Sequence, residues 1–485
     1  LIAGAGVTTT AALATVAPPA SAAETSTLEF SGRFTGIGTP DWHYLPFDVP
    51  AGVRSIAVVY EYSSLDTGLG FSANVIDIGI FDPDGFRGWS GGARKSFRVA
   101  ADAATPGYLP GPITPGTWRV ILGPFAILPP GVSWKATVTL EHGEPATPPF
   151  VADVAPRQVP GTGAGWYRGD LHTHTVHSDG SHTQAGLVAA ARAAGLDFIA
   201  STEHNTSSAG LTWGAHTPSD FLVIVGEEVT TRVGHWNAIG LPAGSWIDWR
   251  HRTQAEMTGY ADQVRSLGGL VVANHPWAPT PGSLWGLGLG FPQVDAIEIW
   301  NGPWTLDDQV GVAAWHSMLL TGRFKPVVGA SDTHHSGQTV GRAQTVVHAE
   351  TLSTSAVLDG VRRGRAWIAE SSAVDLTFEA GLRGTRAGIG ERLPARGLDL
   401  VDVRLEVSGA PSCVAQILGP VLPLGGCLIG SSGEVTVTAK VPAGLAKFVR
   451  AEVRRLDTTP KINPLEGVPA LEMVALTNPI FLGGA

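Results

Sequence analysis

Cysteine, lysine and charged residues in general are scarce in this sequence. Only 2 of its 485 residues are cysteine, and neither lies near the histidine-rich middle of the chain, which excludes thiolate chemistry there. Charged residues make up 15% of the chain, with a net charge of -10, so its surface repels nucleic acid and anionic membranes. Past the first two dozen residues there is no run of about 18 apolar residues, which argues against stable membrane insertion.

The two cysteines are close in sequence. Cys413 and Cys427 are separated by "VAQILGPVLPLGG". In an oxidising compartment a disulfide would close this loop and stabilise the fold by about 3 kcal/mol. A bridge is therefore expected, and two free thiols are the alternative.

The first residues are apolar and almost uncharged. The segment "LIAGAGVTTTAALATVAPPASAAE" carries no charge before Glu24 and places Ala20, Ser21 and Ala22 in an A-x-A pattern. Residues 1–24 are therefore interpreted as the remnant of a secretory signal peptide, with a membrane anchor as the alternative. The expected location is outside the cell or in its envelope, with the Sec or Tat route undetermined.

The chain is long enough for about three domains. Residues 25–145 consist of short alternating strands between Gly and Pro turns, which predicts a β-sandwich. Residues 146–165 are rich in Pro and Gly and are expected to be a linker. Residues 166–373 alternate strands with helices, which predicts a parallel sheet closed into a barrel. Residues 374–485 return to strands and predict a second sandwich. The fold class is therefore a multidomain protein, α/β in the centre and β at both flanks.

Histidine is concentrated in the predicted barrel. Of the 15 histidines, 13 lie between residues 172 and 348. In the strand "RGDLHTH", Asp170, His172 and His174 face the same side, because side chains alternate along a strand. Further imidazoles and carboxylates follow at or beside later strand ends: Glu203, His204, Glu227, Glu228, His235, His275, Asp332, His334 and His335. Since the carboxyl ends of barrel strands converge, the whole set predicts one polynuclear metal site.

The donor types restrict the metal. Neutral imidazole and carboxylate without thiolate favour Zn, Mn or Fe over Ca or Cu(I). A single histidine beside a strand is usually a packing or surface residue, so the prediction depends on the convergence of the set. The expected cofactors are two or three divalent ions.

The ordered motifs "DLHTHTVHSDGSHT", "STEHN", "GEEVTT...GHWNAIG", "NHP" and "GASDTHH" resemble those of the polymerase and histidinol phosphatase (PHP) family. The amidohydrolase superfamily also begins with H-x-H but commonly bridges its metals with a carbamylated lysine, and no lysine occurs between Leu171 and Phe324. The "EVTT...GH.N..G", "D.IE..NG" and "ALTNPIFL" segments further resemble the CehA/McbA (carbaryl hydrolase-like) branch. The resemblance covers residues 166–373 and implies a distorted (β/α)7-type barrel.

The resemblance also implies a ligand set. His172 and His174 with Glu228 and Asp332 would hold a first metal. Glu228 would bridge to a second metal completed by His235 and His275. The third metal would be held by Asp179, His204 and His334. Glu227, one position before Glu228, is expected to point elsewhere.

A hydroxide shared between two of these metals is the expected nucleophile. Asp332, His334, His177 and Arg342 are the candidate catalytic residues. His177 would orient substrate or only support the ligands. Arg342 would hold a substrate oxygen through a bidentate contact, with a structural ion pair as the alternative. The barrel has no convincing G-x-S-x-G elbow, so no serine nucleophile is expected.

Three functions remain open from the sequence. The first is hydrolysis of a phosphoester, either monoester or diester, and the second is hydrolysis of a carbamate, ester or amide. The third is a non-enzymatic exported binding protein that stacks sugars on Trp42, Trp89 or Trp134. The expected partner in the first two is a small molecule, and the oligomeric state stays open.

Overall fold

The computed structural model describes residues 24–36, 39–63, 65–66, 72–280, 282–456 and 471–483. The predicted signal segment lies outside the described residues except for Glu24. The protein is mostly β, with few helices. Among the described residues, no helix combines the length and apolar character needed to span a membrane.

The N-terminal strands form two four-stranded antiparallel sheets, ordered β1-β10-β3-β8 and β2-β9-β6-β7. Both sheets contribute to one core, in which Ile56, Val58, Val120 and Val138 are fully buried. Alternation of buried and exposed residues along the strands produces this arrangement. The strands are β1 (Thr25–Phe34), β2 (His43–Val49), β3 (Val53–Tyr62), β4 (Leu65–Asp66), β5 (Ser72–Ala73), β6 (Val75–Phe81), β7 (Phe86–Gly91), β8 (Ser96–Ala100), β9 (Gly116–Ala126) and β10 (Val132–His142).

The central region is a curled sheet, with α1, α2 and α3 packed on one face and α4 packed against apolar residues of the other. Seven strands follow one another in space in the order β11 to β17. Residues 143–164, the predicted linker, are irregular and lead into β11. The elements are β11 (Gly165–Thr173), α1 (Gln184–Ala193), β12 (Phe198–His204), β13 (Leu222–Thr231), β14 (Gly234–Ile239), α2 (Gln254–Ser266), β15 (Leu270–Asn274), β16 (Ala296–Asn301), α3 (Leu306–Leu320), β17 (Val327–Ala330), β18 (Gln344–Ala349), α4 (Thr354–Arg362) and β19 (Ala366–Ala369).

This sheet differs from the uniformly parallel barrel predicted from the sequence. β11, β12 and β13 are parallel, as are β15, β16 and β17, but β14 is antiparallel to both of its neighbours. The reason is a tight turn from Thr231 to Gly234, where Gly234 adopts a φ of +130°. Only three α-helices lie between the seven strands within the described residues, so a (β/α)7 barrel is not what the structure shows.

The two ends of the curled sheet meet where the predicted ligands lie. The Asp332 amide donates to the His172 carbonyl at 3.0 Å, and the His174 amide donates to the Thr333 carbonyl at 3.1 Å. The buried carboxylate of Asp170 accepts hydrogen bonds from the amides of Ser331 and Gly341, at 3.0 and 2.8 Å. These bonds bring the first and last strands of the seven within reach of one metal centre.

The C-terminal strands form two layers around one core, but one of these layers is continuous with the central sheet. One four-stranded sheet, β21-β20-β23-β26, packs over strands that continue the central sheet in the order β18-β19-β28-β27-β24-β25. Asn478 fastens this continuation, because its side chain exchanges 2.9 Å hydrogen bonds with the backbone of Val327 in β17. The strands are β20 (Asp375–Leu382), β21 (Thr385–Gly388), β22 (Arg392–Leu393), β23 (Leu400–Ser408), β24 (Cys413–Leu418), β25 (Pro423–Ile429), β26 (Val435–Pro442), β27 (Phe448–Arg455), β28 (Met473–Thr477) and β29 (Ile480–Leu482).

The expected disulfide is not formed. Cys413 and Cys427 are both free, the first buried and the second exposed. In the hairpin of β24 and β25, Cys413 pairs with Ile429 and Cys427 pairs with Ala415, so the two thiols are offset by two residues. Closeness in sequence suggested a bridge, but the hairpin register places each cysteine opposite another residue.

Aromatic side chains join the N-terminal sandwich to the central region. The ring of Trp89 lies 4.4 Å from that of Trp249, and Phe86 stacks on Trp246 at 4.6 Å. Trp42 also contacts Trp249, at 5.9 Å between ring centres. The sandwich is thereby held beside the metal-ligand cluster, since its aromatic residues fill the space between the two domains.

Candidate metal centre

The structure brings together all nine residues predicted as metal ligands. His172 and His174 come from the end of β11, His204 ends β12, and Glu228 lies in β13. Three groups of potential ligand atoms contain eight of the nine residues, and the ninth, His235, contacts Glu228 at 3.3 Å. The groups are His174, Asp179, His204 and His334; His172, His174 and Asp332; and His172, Glu228 and His275. We call these nine residues together the metal centre.

Glu228 is the hub of the metal centre, and its side chain is only 1% exposed. Five imidazole nitrogens surround its two oxygens. On Oε2 the distances are 2.8 Å to His204 Nδ1, 3.4 Å to His172 Nε2 and 3.5 Å to His174 Nε2. On Oε1 they are 3.3 Å to His235 Nδ1 and 3.4 Å to His275 Nε2. A carboxylate that presents each oxygen to a different set of imidazoles is suited to bridging two cations.

Asp332 faces Glu228 across the centre. Its Oδ1 lies 3.0 Å from His174 Nε2 and 3.2 Å from His172 Nε2. Its backbone has a φ of +49°, a conformation uncommon for a residue other than glycine. The bond from its amide to the His172 carbonyl holds this conformation, which turns the carboxylate back toward the first strand.

The third group lies nearer to solvent. Asp179 Oδ1 is 3.4 Å from His334 Nε2 and 3.6 Å from His204 Nε2. The two imidazole nitrogens are 3.4 Å apart. Asp179 belongs to the loop after β11, and Arg94 of the N-terminal sandwich donates to the Ser178 carbonyl of that loop at 2.8 Å and to the Val176 carbonyl.

Three buried atoms of the metal centre, His172 Nε2, Glu228 Oε2 and His235 Nδ1, lie within 3.5 Å of another ligand atom but make no hydrogen bond of acceptable geometry in the described structure. Buried polar atoms are normally paired, so unpaired ones that point toward a common space indicate an additional partner. Imidazole and carboxylate donors at these separations suit Zn, Mn or Fe ions. The residues present therefore fit a site for divalent cations.

The metal-free centre is held by opposite charges. Burial acts to lower the pKa of His204, but the nearby carboxylates of Glu228 and Asp179 outweigh it and raise that pKa to about 10. The pKa values of His172 and His275 are also raised, because carboxylates again outweigh burial. Burial and the neighbouring His334 and His204 instead lower the pKa of His174 to about 4. The centre is therefore a mixture of charged and neutral imidazoles.

These shifts predict that metal binding releases protons. The pKa values of His172 and His204 are raised well above the usual range, which favours bound protons in the metal-free protein, whereas a metal-ligating imidazole must be neutral. The affinity for Zn²⁺ should therefore fall as the pH is lowered from about 8 to 6. Titration calorimetry in two buffers of different ionisation enthalpy measures the protons released. Equal heats in both buffers would contradict the prediction.

Three residues that support the ligands were not predicted as site residues. Glu298 Oε2 lies 2.9 Å from His172 Nδ1, and Asn301 Nδ2 donates to Glu298 Oε1 at 2.5 Å. The side-chain Nδ2 of Asn274 donates to Glu228 Oε1 at 3.0 Å. Such partners orient metal ligands. The sequence signal for Glu298 and Asn301 was the "D.IE..NG" segment, in which Glu298 lies on one face of β16 by strand alternation. The motif did not indicate which residues either side chain contacts.

His177 and Arg342 lie outside the metal centre. His177 Nδ1 pairs with Ser208 Oγ at 2.9 Å, and this histidine belongs to none of the three ligand groups. Arg342 Nη2 lies 3.2 Å from Glu370 Oε1. This contact is the structural ion pair that was the alternative to a substrate contact. Neither residue belongs to the ligand groups, and Arg342 Nε is buried without a hydrogen-bond partner among the described residues. A catalytic role for either residue stays a prediction.

Glu227 points away from the metal centre, as strand alternation requires. Its Oε2 accepts a hydrogen bond from the Ile247 amide at 3.0 Å. The side chain is fully buried, and burial raises its pKa well above the usual range. Glu227 and Glu228 are therefore adjacent carboxyl groups in opposite environments.

Two cavities adjoin the metal centre, and His204 and His235 line both. The sandwich-side cavity, of about 500 Å³, lies between the N-terminal sandwich and the central sheet. Its characteristic lining residues are Trp42, Tyr62, Lys95, Phe125 and Arg232. The loop-side cavity, of about 730 Å³, lies under the loops after β15 and β16 and is lined by Trp277, Pro279, Pro303, Leu306 and Val310 among others.

No protein-family model and no curated protein matches the chain. Solved structures show a limited likeness. A two-domain protein from Bacteroides vulgatus, described as containing a predicted PHP-like metal-dependent phosphoesterase, is 18% identical with a TM-score of 0.36 over 66% of this chain and 99% of its own. A protein from Bifidobacterium adolescentis, described as a metal-dependent phosphoesterase, is 18% identical with a TM-score of 0.27 over 40% of this chain and 94% of its own.

An amidohydrolase from Chromobacterium violaceum, solved with bound sulfate and no metal, is 17% identical with a TM-score of 0.25 over 36% of this chain and 89% of its own. At such scores the likeness carries no conclusion about this chain. Its function has to be argued from the geometry of the metal centre.

Proposed function

We propose that this protein is a metal-dependent hydrolase of phosphoesters, either monoesters or diesters. The observation that carries the proposal is the metal centre itself. There, the carboxylate oxygens of Glu228 and Asp332 lie 2.8 to 3.5 Å from imidazole nitrogens. Two cavities open onto this centre, so a substrate can reach it. Membership of the PHP family and of its CehA/McbA branch, and export from the cell, remain part of the proposal.

Divalent ions bound here would polarise the substrate oxygens and lower the pKa of a coordinated water. The chain's own residues hold the centre in place. Glu298 orients His172 through Nδ1, and Thr230 Oγ1 orients His204 through a 2.6 Å contact with Nδ1. Asp332 lines the loop-side cavity beside His334, the most exposed imidazole of the centre at 27%. His334 is the candidate that delivers a proton to the leaving oxygen when its Nε2 holds no metal.

A phosphoester is favoured by the number of adjoining ligand groups. His174 belongs to the first and second groups and His172 to the second and third, so cations bound by these groups would lie close together. Several cations together neutralise the negative charge on the non-bridging oxygens of a phosphoryl group during in-line displacement. A carbamate, ester or amide carries less charge on its reacting group and needs fewer cations.

Hydrolysis of a carbamate, ester or amide is the second candidate. It is favoured by the apolar lining of the loop-side cavity, where Leu306 and Val310 are 41% and 48% exposed. A sugar-binding protein is disfavoured, because Trp89 is 3% and Trp134 6% exposed and Trp42 packs against Trp249. Trp89 and Trp134 therefore have no free face for a sugar, and the guanidinium of Arg232 lies 4.7 Å from the centre of the Trp42 ring.

The test compares substrates and ligand variants. The protein, loaded with Zn²⁺ or Mn²⁺, should hydrolyse 4-nitrophenyl phosphate or bis(4-nitrophenyl) phosphate faster than 1-naphthyl N-methylcarbamate. Asp332→Asn and His174→Ala should each lose this activity together with bound metal measured by elemental analysis. Turnover of the carbamate alone would favour the second candidate, and unchanged activity in both variants would exclude a role for the metal centre.

A further inference from the structure

The two cavities lie on different sides of the metal centre. The sandwich-side cavity reaches it at Asp179, His204 and His235. The loop-side cavity reaches it at Glu228, His275, Asp332 and His334, as well as at the two shared histidines. A phosphorus atom held at the centre would therefore have room for one organic group in each direction. A monoester has only one such group and would leave one cavity empty.

The sandwich-side cavity is built from aromatic rings and cations. The guanidinium of Arg232 lies 4.7 Å from the Trp42 ring and 4.8 Å from the Phe125 ring. Arg232 Nη2 also pairs with Asp77 Oδ2 at 3.2 Å, and both side chains are largely buried. The positive charge of Arg232 is thereby matched by a carboxylate of the N-terminal sandwich.

Lys95 leaves an unmatched positive charge in this cavity. Its ammonium lies 3.1 Å from the centre of the Tyr62 ring and 5.0 Å from that of Tyr60. It forms no ion pair within the described part of the chain, and it is exposed. Asp179, the other acidic residue of this wall besides Asp77, belongs to the metal ligands. A cation held by aromatic rings at the mouth of a cleft attracts a negatively charged ligand group.

The loop-side cavity differs in the charge of its lining, whose described residues include no lysine or arginine. Trp277, Pro279, Pro303, Leu306 and Val310 give it an apolar wall. Apart from the metal ligands, its titratable lining is the carboxyl group of Asp307. An apolar group gains by burial against such a wall, whereas an anionic group would meet a like charge.

We propose that the substrate is a phosphodiester with two unlike arms, an anionic arm in the sandwich-side cavity and an apolar arm in the loop-side cavity. This inference rests on the proposed phosphoesterase function and narrows its substrate class. It gives the N-terminal sandwich a direct part in substrate binding, with Lys95 as the residue that selects the anionic arm.

Phosphinates test the two arms without hydrolysis, because they keep tetrahedral phosphorus and its two oxygens but have no ester bond. Three phenylphosphinates differ only in their second substituent, which is methyl, n-alkyl or an ω-carboxyalkyl chain of matched length. Calorimetric titration of the Zn²⁺-loaded protein should rank their affinities as carboxyalkyl above alkyl above methyl. Equal affinity of the methyl compound, or an alkyl compound that binds more tightly than its carboxyalkyl match, overturns the proposal.

Charge reversal locates the anionic arm. Lys95→Glu should weaken binding of the carboxyalkyl compound by about fivefold at low salt and leave the alkyl compound within about twofold, since an exposed charge contact is modest and screened. Lys447→Glu, an equal charge change at an exposed residue of the C-terminal region, should change neither. A carboxyalkyl preference that survives Lys95→Glu contradicts the assignment of Lys95.

Turnover separates this inference from the function it rests on. If phosphate esters are hydrolysed but the methyl compound binds as tightly as the others, the two-armed substrate is wrong and the phosphoesterase proposal stands. If the predicted ranking holds but neither 4-nitrophenyl phosphate nor bis(4-nitrophenyl) phosphate is hydrolysed, the phosphoesterase proposal is wrong and the two binding cavities stand.

Discussion

Glu228→Gln should lower the hydrolytic activity by at least about 10³-fold. This loss is larger than the 10–100-fold expected when a residue that only hydrogen-bonds to a metal ligand is changed. The reason is the position of this carboxylate, whose two oxygens face five imidazoles in a fully buried setting. An amide of the same shape keeps the packing but loses the negative charge and one oxygen donor. Elemental analysis should show bound metal falling in parallel with kcat/KM.

Glu227→Gln is the matched control for that change. Glu227 is the preceding residue of the same strand, equally buried, and faces the opposite side, where its carboxyl contacts the Ile247 amide. Because burial raises its pKa well above the usual range and so favours the protonated form, a neutral amide at this position changes the electrostatics less than it does at Glu228. The activity and the metal content of Glu227→Gln should stay within about threefold of the wild type. An equal loss in both variants would mean that Glu228 is not the hub.

The metal centre could be predicted because its signal is local. Alternation along β11 puts His172 and His174 on one face, and most of the other ligands lie at or beside a strand end, whereas Asp179 was assigned only through the family resemblance. The resemblance to the PHP motif selected Glu228, and alternation in β13 then places Glu227 on the opposite face. Each of these statements needs only a few consecutive residues, together with the expectation that strand ends converge. The structure brings these residues together even though the sheet is not uniformly parallel.

The features of the fold that were not predicted depend on contacts between segments distant in sequence. The antiparallel strand β14 was missed because a tight turn at Gly234 reads as a loop in a pattern of strands and helices. The continuity of the central sheet with β28 and β27 comes from pairing across the predicted boundary at residue 373. The wall that Trp42 and Lys95 add to the metal centre depends on how one domain packs on another. Periodicity and local motifs carry no information on such pairings.

Glu298→Gln should weaken metal binding by about 10–100-fold while leaving the fold intact. Glu298 Oε2 lies 2.9 Å from His172 Nδ1, and its other oxygen accepts from Asn301, whose amide also reaches Asp332 Oδ2 at 3.3 Å. The negative charge of Glu298 makes His172 a stronger donor and fixes the orientation of its ring. The amide would keep the shape but supply a weaker acceptor or turn its NH2 group toward the imidazole.

A rescue experiment separates positioning from a role in the chemical step. If Glu298 acts through His172, excess Zn²⁺ or Mn²⁺ should return kcat of Glu298→Gln to within about threefold of the wild type, while the metal concentration for half activity stays raised. Glu452→Gln is the control for loss of a buried carboxylate, because Glu452 is 5% exposed and pairs with Arg450 and Arg454 far from the ligands. It should lower the unfolding temperature without changing metal affinity. A kcat of Glu298→Gln that stays low at saturating metal would instead place Glu298 in contact with the substrate.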